Sequence, residues 1–249
     1  MSLRFTRPLA LVALMLALPL AAPACAQDMP TVLPNNYVMS DILNRQRVET
    51  AINSGRDGAA RSARQPAPPA GSALAATTYR ASPEVSARVR RQFADWMGRQ
   101  AGAEGGRRIA EAMARRDPVS NWAQIVSGDG LRPGDIADAM AGYWILNWVM
   151  ANGADSNRAQ AQAVRDQIRP MIASNPGYAR LNDAQRQELS EVLMLNFLIQ
   201  HAAYMDAMKR GDRDTARRLG DAAVARFRNE MGVDLRRLEL TGTGFVPAG

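Results

Sequence analysis

The sequence predicts an all-α protein, a single helical bundle of about six helices with two apolar helices at its centre and a flexible N-terminal arm. Three observations predict it. From residue 82 onward, apolar side chains recur at three- and four-residue spacing, with capping residues ahead of the runs and glycines behind them. No later stretch alternates polar and apolar residues between turn signals, so little or no sheet is expected. Finally, YWILNWVM at 143–150 and VLMLNFLI at 192–199 are apolar almost all round a helix, yet far short of the roughly 20 residues a membrane span requires.

Residues 1–26 read as a secretory leader. Arg4 and Arg7 precede a proline-broken apolar run that closes on Ala24-Cys25-Ala26, which predicts cleavage before Gln27 and export to the periplasm or the medium. Lipid attachment at Cys25 is disfavoured, because Ala22-Pro23-Ala24 lacks the large aliphatic residue expected ahead of an acylated cysteine. Cys25 is the only cysteine of the 249 residues. The mature chain is therefore expected to carry no disulfide and to depend on burial for its stability. Losing Arg4 and Arg7 with the leader takes the formal net charge from +7 to +5. Such a surface favours anionic lipid or glycan partners; outside the cell, nucleic acid is not expected.

An arm at 27–54 carries Val38, Ile42, Leu43, Val48 and Ile52, enough for one short docking element. Residues 55–78 are mainly alanine, proline, glycine, serine and arginine with a single leucine, too little apolar surface to offset the entropy of ordering. A disordered linker is expected over 55–81, and the bundle domain over 82–249.

Ser82-Pro83-Glu84 has the order of a helix start, and Val85, Val89, Phe93, Trp96 and Met97 follow at helical spacing. That helix is expected to stop near Gly98–Gly102, with a second run over about 103–116 carrying Ile109 and Met113. Asp117-Pro118 restarts a short helix through Trp122 and Val126. LRPGD opens the next, expected from Pro133 to Asn152 and closed by Gly153. Asp155 or Ser156 is expected to cap a helix reaching about Ala173, where Pro170 forces a kink or a late stop. Asn182 and Gln185 have capping-box spacing ahead of a long helix ending at Gly211. The last helix lies between Asp212 and Gly232, with Asp214–Arg218 and Arg217–Asp221 four residues apart. The tail reads as non-helical, with Leu235, Leu238, Leu240 and Phe245 sealing one end of the bundle.

Each central apolar segment contains one asparagine, Asn147 and Asn196. An unpaired buried amide costs roughly 1–3 kcal/mol, so each is expected to have a partner. Either the two face each other, or Asn196 pairs with Gln200 while Asn147 caps a backbone carbonyl; both arrangements would fix helix register. The functional alternative makes these amides the polar handles of a pocket lined by Trp144, Trp148, Phe197 and His201. Aromatics at helical spacing are more often packing.

Candidates for chemistry are few. His201 is the only histidine and has no acid three or four residues away, so no helical metal site is expected. There is no G-x-S-x-G elbow, and no cofactor is implied. Glu188 and Glu191 lie one turn apart at the start of the long helix. They offer a carboxylate pair for glycoside hydrolysis, or simply complement the helix dipole. SGDGLRPGD has the composition of a phosphate loop, but no strand precedes it and no Lys-Ser/Thr follows. Arginine doublets at 90/91, 107/108, 115/116, 217/218 and 236/237 suit a solvated face partly paired with acids, Glu84–Arg88 and Glu111–Arg115 among them.

The run from YRASPEV through DGLRPGDIADAMAGYWILNW to GTGFVP resembles a family of exported proteobacterial proteins described only as a domain of unknown function. The resemblance covers about residues 79–249. It implies the extent of the domain and its export, and it carries no activity and no site residues. The function expected is that of an exported, non-catalytic binding or interaction protein. A wall-active hydrolase using paired carboxylates and an arginine-mediated binder of anionic envelope surfaces are the alternatives.

Overall fold

The computed structural model describes residues 48, 49, 52 and 53 and the continuous stretch 75–249. The leader, most of the arm and residues 55–74 lie outside the described residues. Within 75–249 there are seven α-helices and one antiparallel hairpin, so the all-helical class holds.

Helix α1 spans Pro83–Arg115 and is broken at Gly102, whose φ of 80° and ψ of 162° are not helical. The chain doubles back there. A Cβ on Gly106 would fall 2.8 Å from both the Gly98 Cα and the Ala94 carbonyl, so the two arms touch only because side chains are missing. Arg90 in the first arm consequently reaches Asp117 beyond the second, at 3.0 Å. The stop and restart expected around Gly102 are thus one tight helical corner.

Helix α2 (Pro118–Val126) is capped by Asp117, which accepts from the Ser120 N–H at 2.8 Å. Helix α3 spans Ile136–Asn152 and begins three residues later than its sequence suggested. Pro133 and Gly134 are used in the preceding turn, and the Asp135 carboxylate caps the Ala137 N–H. Helix α4 (Arg158–Ala173) is capped by Asn157 rather than Asp155 or Ser156, because Asn157 and Gln160 satisfy each other's backbone N–H groups. Pro170 sits inside its last turn without ending it. A four-residue helix, α5 (Pro176–Ala179), follows the Asn175 cap and was not anticipated.

Helix α6 spans Asp183–Arg210 with the expected Asn182–Gln185 capping box and a left-handed Gly211. Helix α7 (Arg213–Met231) lies between Asp212 and Gly232 as expected. The tail forms a hairpin of β1 (Leu238–Thr241) and β2 (Gly244–Pro247), in which Leu240 pairs with Phe245. Leu235, Leu238, Leu240 and Phe245 are all buried, so the tail does seal the bundle.

Helix α3 is the hub. Fifteen of its seventeen residues are buried, and it packs against α4, α6 and α7. Helix α6 is covered on one side by α3 and on another by α1, with Val192 and Leu195 joining the α1 side chains in a second, smaller core. Enclosure on several sides explains why both helices are apolar nearly all round. No helix among the described residues is long and apolar enough to cross a membrane. Val48 and Ile52, from the arm, are buried in the main core.

Candidate functional site

Polar side chains are buried in two places. The first is a seam at the N-terminal ends of α3 and α6, crossed by residues 75–82. The linker expected to reach 81 is instead bonded to the bundle from Ala75 onward: Ala75 donates to the Ala173 carbonyl at 3.1 Å and Tyr79 to that of Gly134 at 3.0 Å. Thr77, Thr78 and Tyr79 supply the β-branched and aromatic side chains that the alanine-proline stretch lacks.

Charges in the seam are answered by neighbours from other elements. Arg169 donates to Thr77 Oγ1 at 2.6 Å and to Asp135 Oδ2 at 2.8 Å. Glu191 accepts from Ser86 Oγ at 2.6 Å and from Gln187 Nε2 at 2.7 Å, while Glu188 pairs with Arg88 at 3.1 Å. The two glutamates that suggested a carboxylate pair therefore fasten α1 onto α6. Arg88 is drawn to Glu188 rather than to Glu84, which takes the Ser82 hydroxyl. Burial raises the pKa of Glu191, opposed by its bonds from Ser86 and Gln187. Burial, aided by the charge of Asp135, pushes Asp138 up to about 6, with Arg165 3.9 Å away. Burial likewise lifts Tyr79 to about 12.

The second place is the centre of the bundle. Asn147 donates to the Tyr143 carbonyl at 2.8 Å and accepts from Arg226 Nη2 at 2.8 Å. Neither bond goes to Asn196, and the pairing of Asn196 with Gln200 is not made, because both amide atoms of Gln200 lack a hydrogen-bond partner. Expectation and structure agree on the Asn147 cap alone. Arg226, 7% exposed, was missed. Its position was readable, since Leu219, Ala223, Arg226 and Phe227 lie on one helical stripe.

The aromatic residues proposed to line one pocket fall into two groups. Trp144 and Trp148, a turn apart on α3, turn toward α7 and the hairpin: Trp144 meets Phe227 edge-on at 5.7 Å, and Trp148 Nε1 donates to the Leu238 carbonyl at 2.9 Å. Phe197 and His201 on α6 stack on each other at 5.5 Å, and Trp122 of α2 lies edge-on to Phe197 at 6.4 Å. Burial lowers the His201 pKa to about 4, so the ring is neutral at pH 7.

At the surface, each arginine doublet has at least one member paired with an acid, as in Arg108–Glu104 at 2.9 Å and Arg115–Glu111 at 3.4 Å. No group of three or more histidine, cysteine or acidic side chains suited to a metal ion occurs among the described residues.

The model of a family described as "Family of unknown function (DUF6683)" matches residues 5–247. The chain belongs to this family. The DUF6683 match extends the 79–249 resemblance toward the N-terminus, taking in the arm and most of the leader-like segment. No curated protein and no solved structure matches the chain. Roles for its residues therefore come from geometry.

Proposed function

We propose that the chain is an exported, non-catalytic binding or interaction module acting in the periplasm or outside the cell. The observation that carries this reading is the use made of its acids. A glycosidase needs two carboxylates free to face substrate, one as an acid and one as a base or nucleophile. Glu188 and Glu191 are instead held by Arg88, Ser86 and Gln187 in the contact between α1 and α6. Export is supported by the leader-like N-terminus, whose basic head, apolar run and small-residue site form one pattern.

Two measurements test the proposal. Expressed in a Gram-negative host, the chain is expected in the periplasmic or culture fraction, shortened at Gln27, and cytoplasmic retention at full length would count against export. Incubated with purified cell-wall glycan, neither the protein nor its Glu191→Gln variant is expected to release fragments. Release that the variant abolishes would overturn the non-catalytic reading in favour of the hydrolase.

A further inference from the structure

We propose that the seam is a groove for an extended peptide, filled in this chain by its own residues 75–82 as a displaceable strap. The partner it fits is a strand with a threonine or serine facing inward and an aromatic residue two positions later. The proposal rests on the reading of the chain as a binding module and deepens it.

The groove reads main chain. Along the strap, Ala75 donates to the Ala173 carbonyl at the end of α4, the Ala76 carbonyl accepts from the Tyr178 hydroxyl of α5, and the Thr77 carbonyl accepts from the Ile136 N–H of α3. Thr78 stands opposite Asp135 in an antiparallel bridge. Tyr79 then donates to the Gly134 carbonyl, and the Arg80 N–H to Asp183 of α6 at 3.2 Å. Buried Gln187 closes the far end: its Oε1 accepts from the Ser82 N–H at 2.8 Å and its Nε2 donates to the Ser82 carbonyl at 2.9 Å. The receiving groups thus come from α3, α4, α5 and α6 and belong to the bundle.

Main-chain bonds combined with pockets for alternate side chains are how extended segments are recognised by strand addition. The strap follows that pattern: Thr77 is buried, Ala75 and Tyr79 are half-buried, and Ala76, Thr78 and Arg80 are exposed. With Thr77 alone enclosed, little apolar burial opposes release, and each bond given up can be remade with water. The Thr77 hydroxyl accepts from Arg169, which also holds Asp135. An acid in its place would face Asp135 and buried Asp138, and a base would face Arg169 and Arg165, so a neutral hydroxyl is selected.

The test is an NMR titration of the 15N-labelled protein with the unlabelled peptide AATTYRAS, the strap's own sequence, as probe. Because only the protein is labelled, displacement is expected to move the strap amides to random-coil positions while those of Gly134 and Ile136 stay in place. The tether gives the strap a millimolar effective concentration, so peptide at about 10 mM is needed. Thr77→Val in the protein, which keeps the shape but removes the bond from Arg169, is expected to lower the peptide concentration for half displacement about tenfold. The same change in the peptide is expected to raise it about tenfold, and decides alone should the protein variant not fold. Strap amides that stay in place throughout, equal displacement by a scrambled peptide, or indifference to the Thr77→Val changes each overturn the proposal. In those cases the binding-module reading stands or falls separately, on the glycan assay.

Discussion

Asn147 and Gln200 are amides buried in the two central helices, and their situations are opposite. Around Asn147, α3 meets α7, and the amide is used at both ends, donating to the Tyr143 carbonyl and accepting from Arg226. Around Gln200, α6 offers an amide that nothing in the bundle answers. The same side-chain chemistry thus serves as a fastening in one region and as unused bonding capacity in the other. Burial alone does not reveal which role a polar residue plays; the identity of its partner does.

The largest expected effect comes from breaking the fastening. Asn147→Leu removes one acceptor of a buried guanidinium together with the amide's own bond to the Tyr143 carbonyl, and losing a hydrogen bond to a charged group is expected to cost about 2 kcal/mol of stability. Urea denaturation followed by far-UV circular dichroism measures it. A loss below about 1 kcal/mol would mean that Arg226 draws its support from elsewhere and would erase the contrast.

Gln200→Leu should go the other way. Replacing an unpaired amide by an apolar group of similar size is expected to stabilise the protein by about 1–2 kcal/mol. Destabilisation of the same size would show that the amide is already bonded and would place Gln200 in the same class as Asn147.

Asp138 tests the comparison at the seam, where a buried acid has one oxygen without a hydrogen bond. Its pKa of about 6 in the fold lies above the ordinary value of 3.8, so the fold prefers the protonated acid. Stability from this group is whole below about pH 4, where both states are protonated, and is lost as pH rises through 6. Asp138→Asn is therefore expected to raise the melting temperature at pH 8, by the equivalent of about 1 kcal/mol, and to leave it unchanged at pH 4. An equal effect at both pH values would assign the change to packing rather than to charge.

The helices were legible because caps and glycines are local signals: Asn182 with Gln185, Asp212 and Gly153 all act where the sequence placed them. The seam was not. Ser82 and Ser86 meet Gln187 and Glu191 across about a hundred residues of chain, and nothing local in either segment names the other. The two aromatic groups were hidden for a related reason. Helical periodicity tells which residues share a face of one helix, but not which neighbour that face meets, so Trp144 and Phe197 were joined when their rings serve different contacts. Arg226 lay between these cases, readable as a cation on an apolar stripe, though its partner on α3 was not.

The smallest effect is expected at the surface, where sequence spacing misled in detail. Arg217 was expected to pair with Asp221, yet Asp221 is taken by Arg236, and Arg217 lies 3.9 Å from Asp214 with both side chains more than two-thirds exposed. In high dielectric such a pair gains little and loses side-chain entropy, so Arg217→Ala should change stability by less than about 0.5 kcal/mol. Retention on anionic vesicles is the second readout. If this substitution released the protein from them at low salt, an exposed arginine with no structural task would have acquired a binding one, and the envelope-surface alternative would then be the reading to follow.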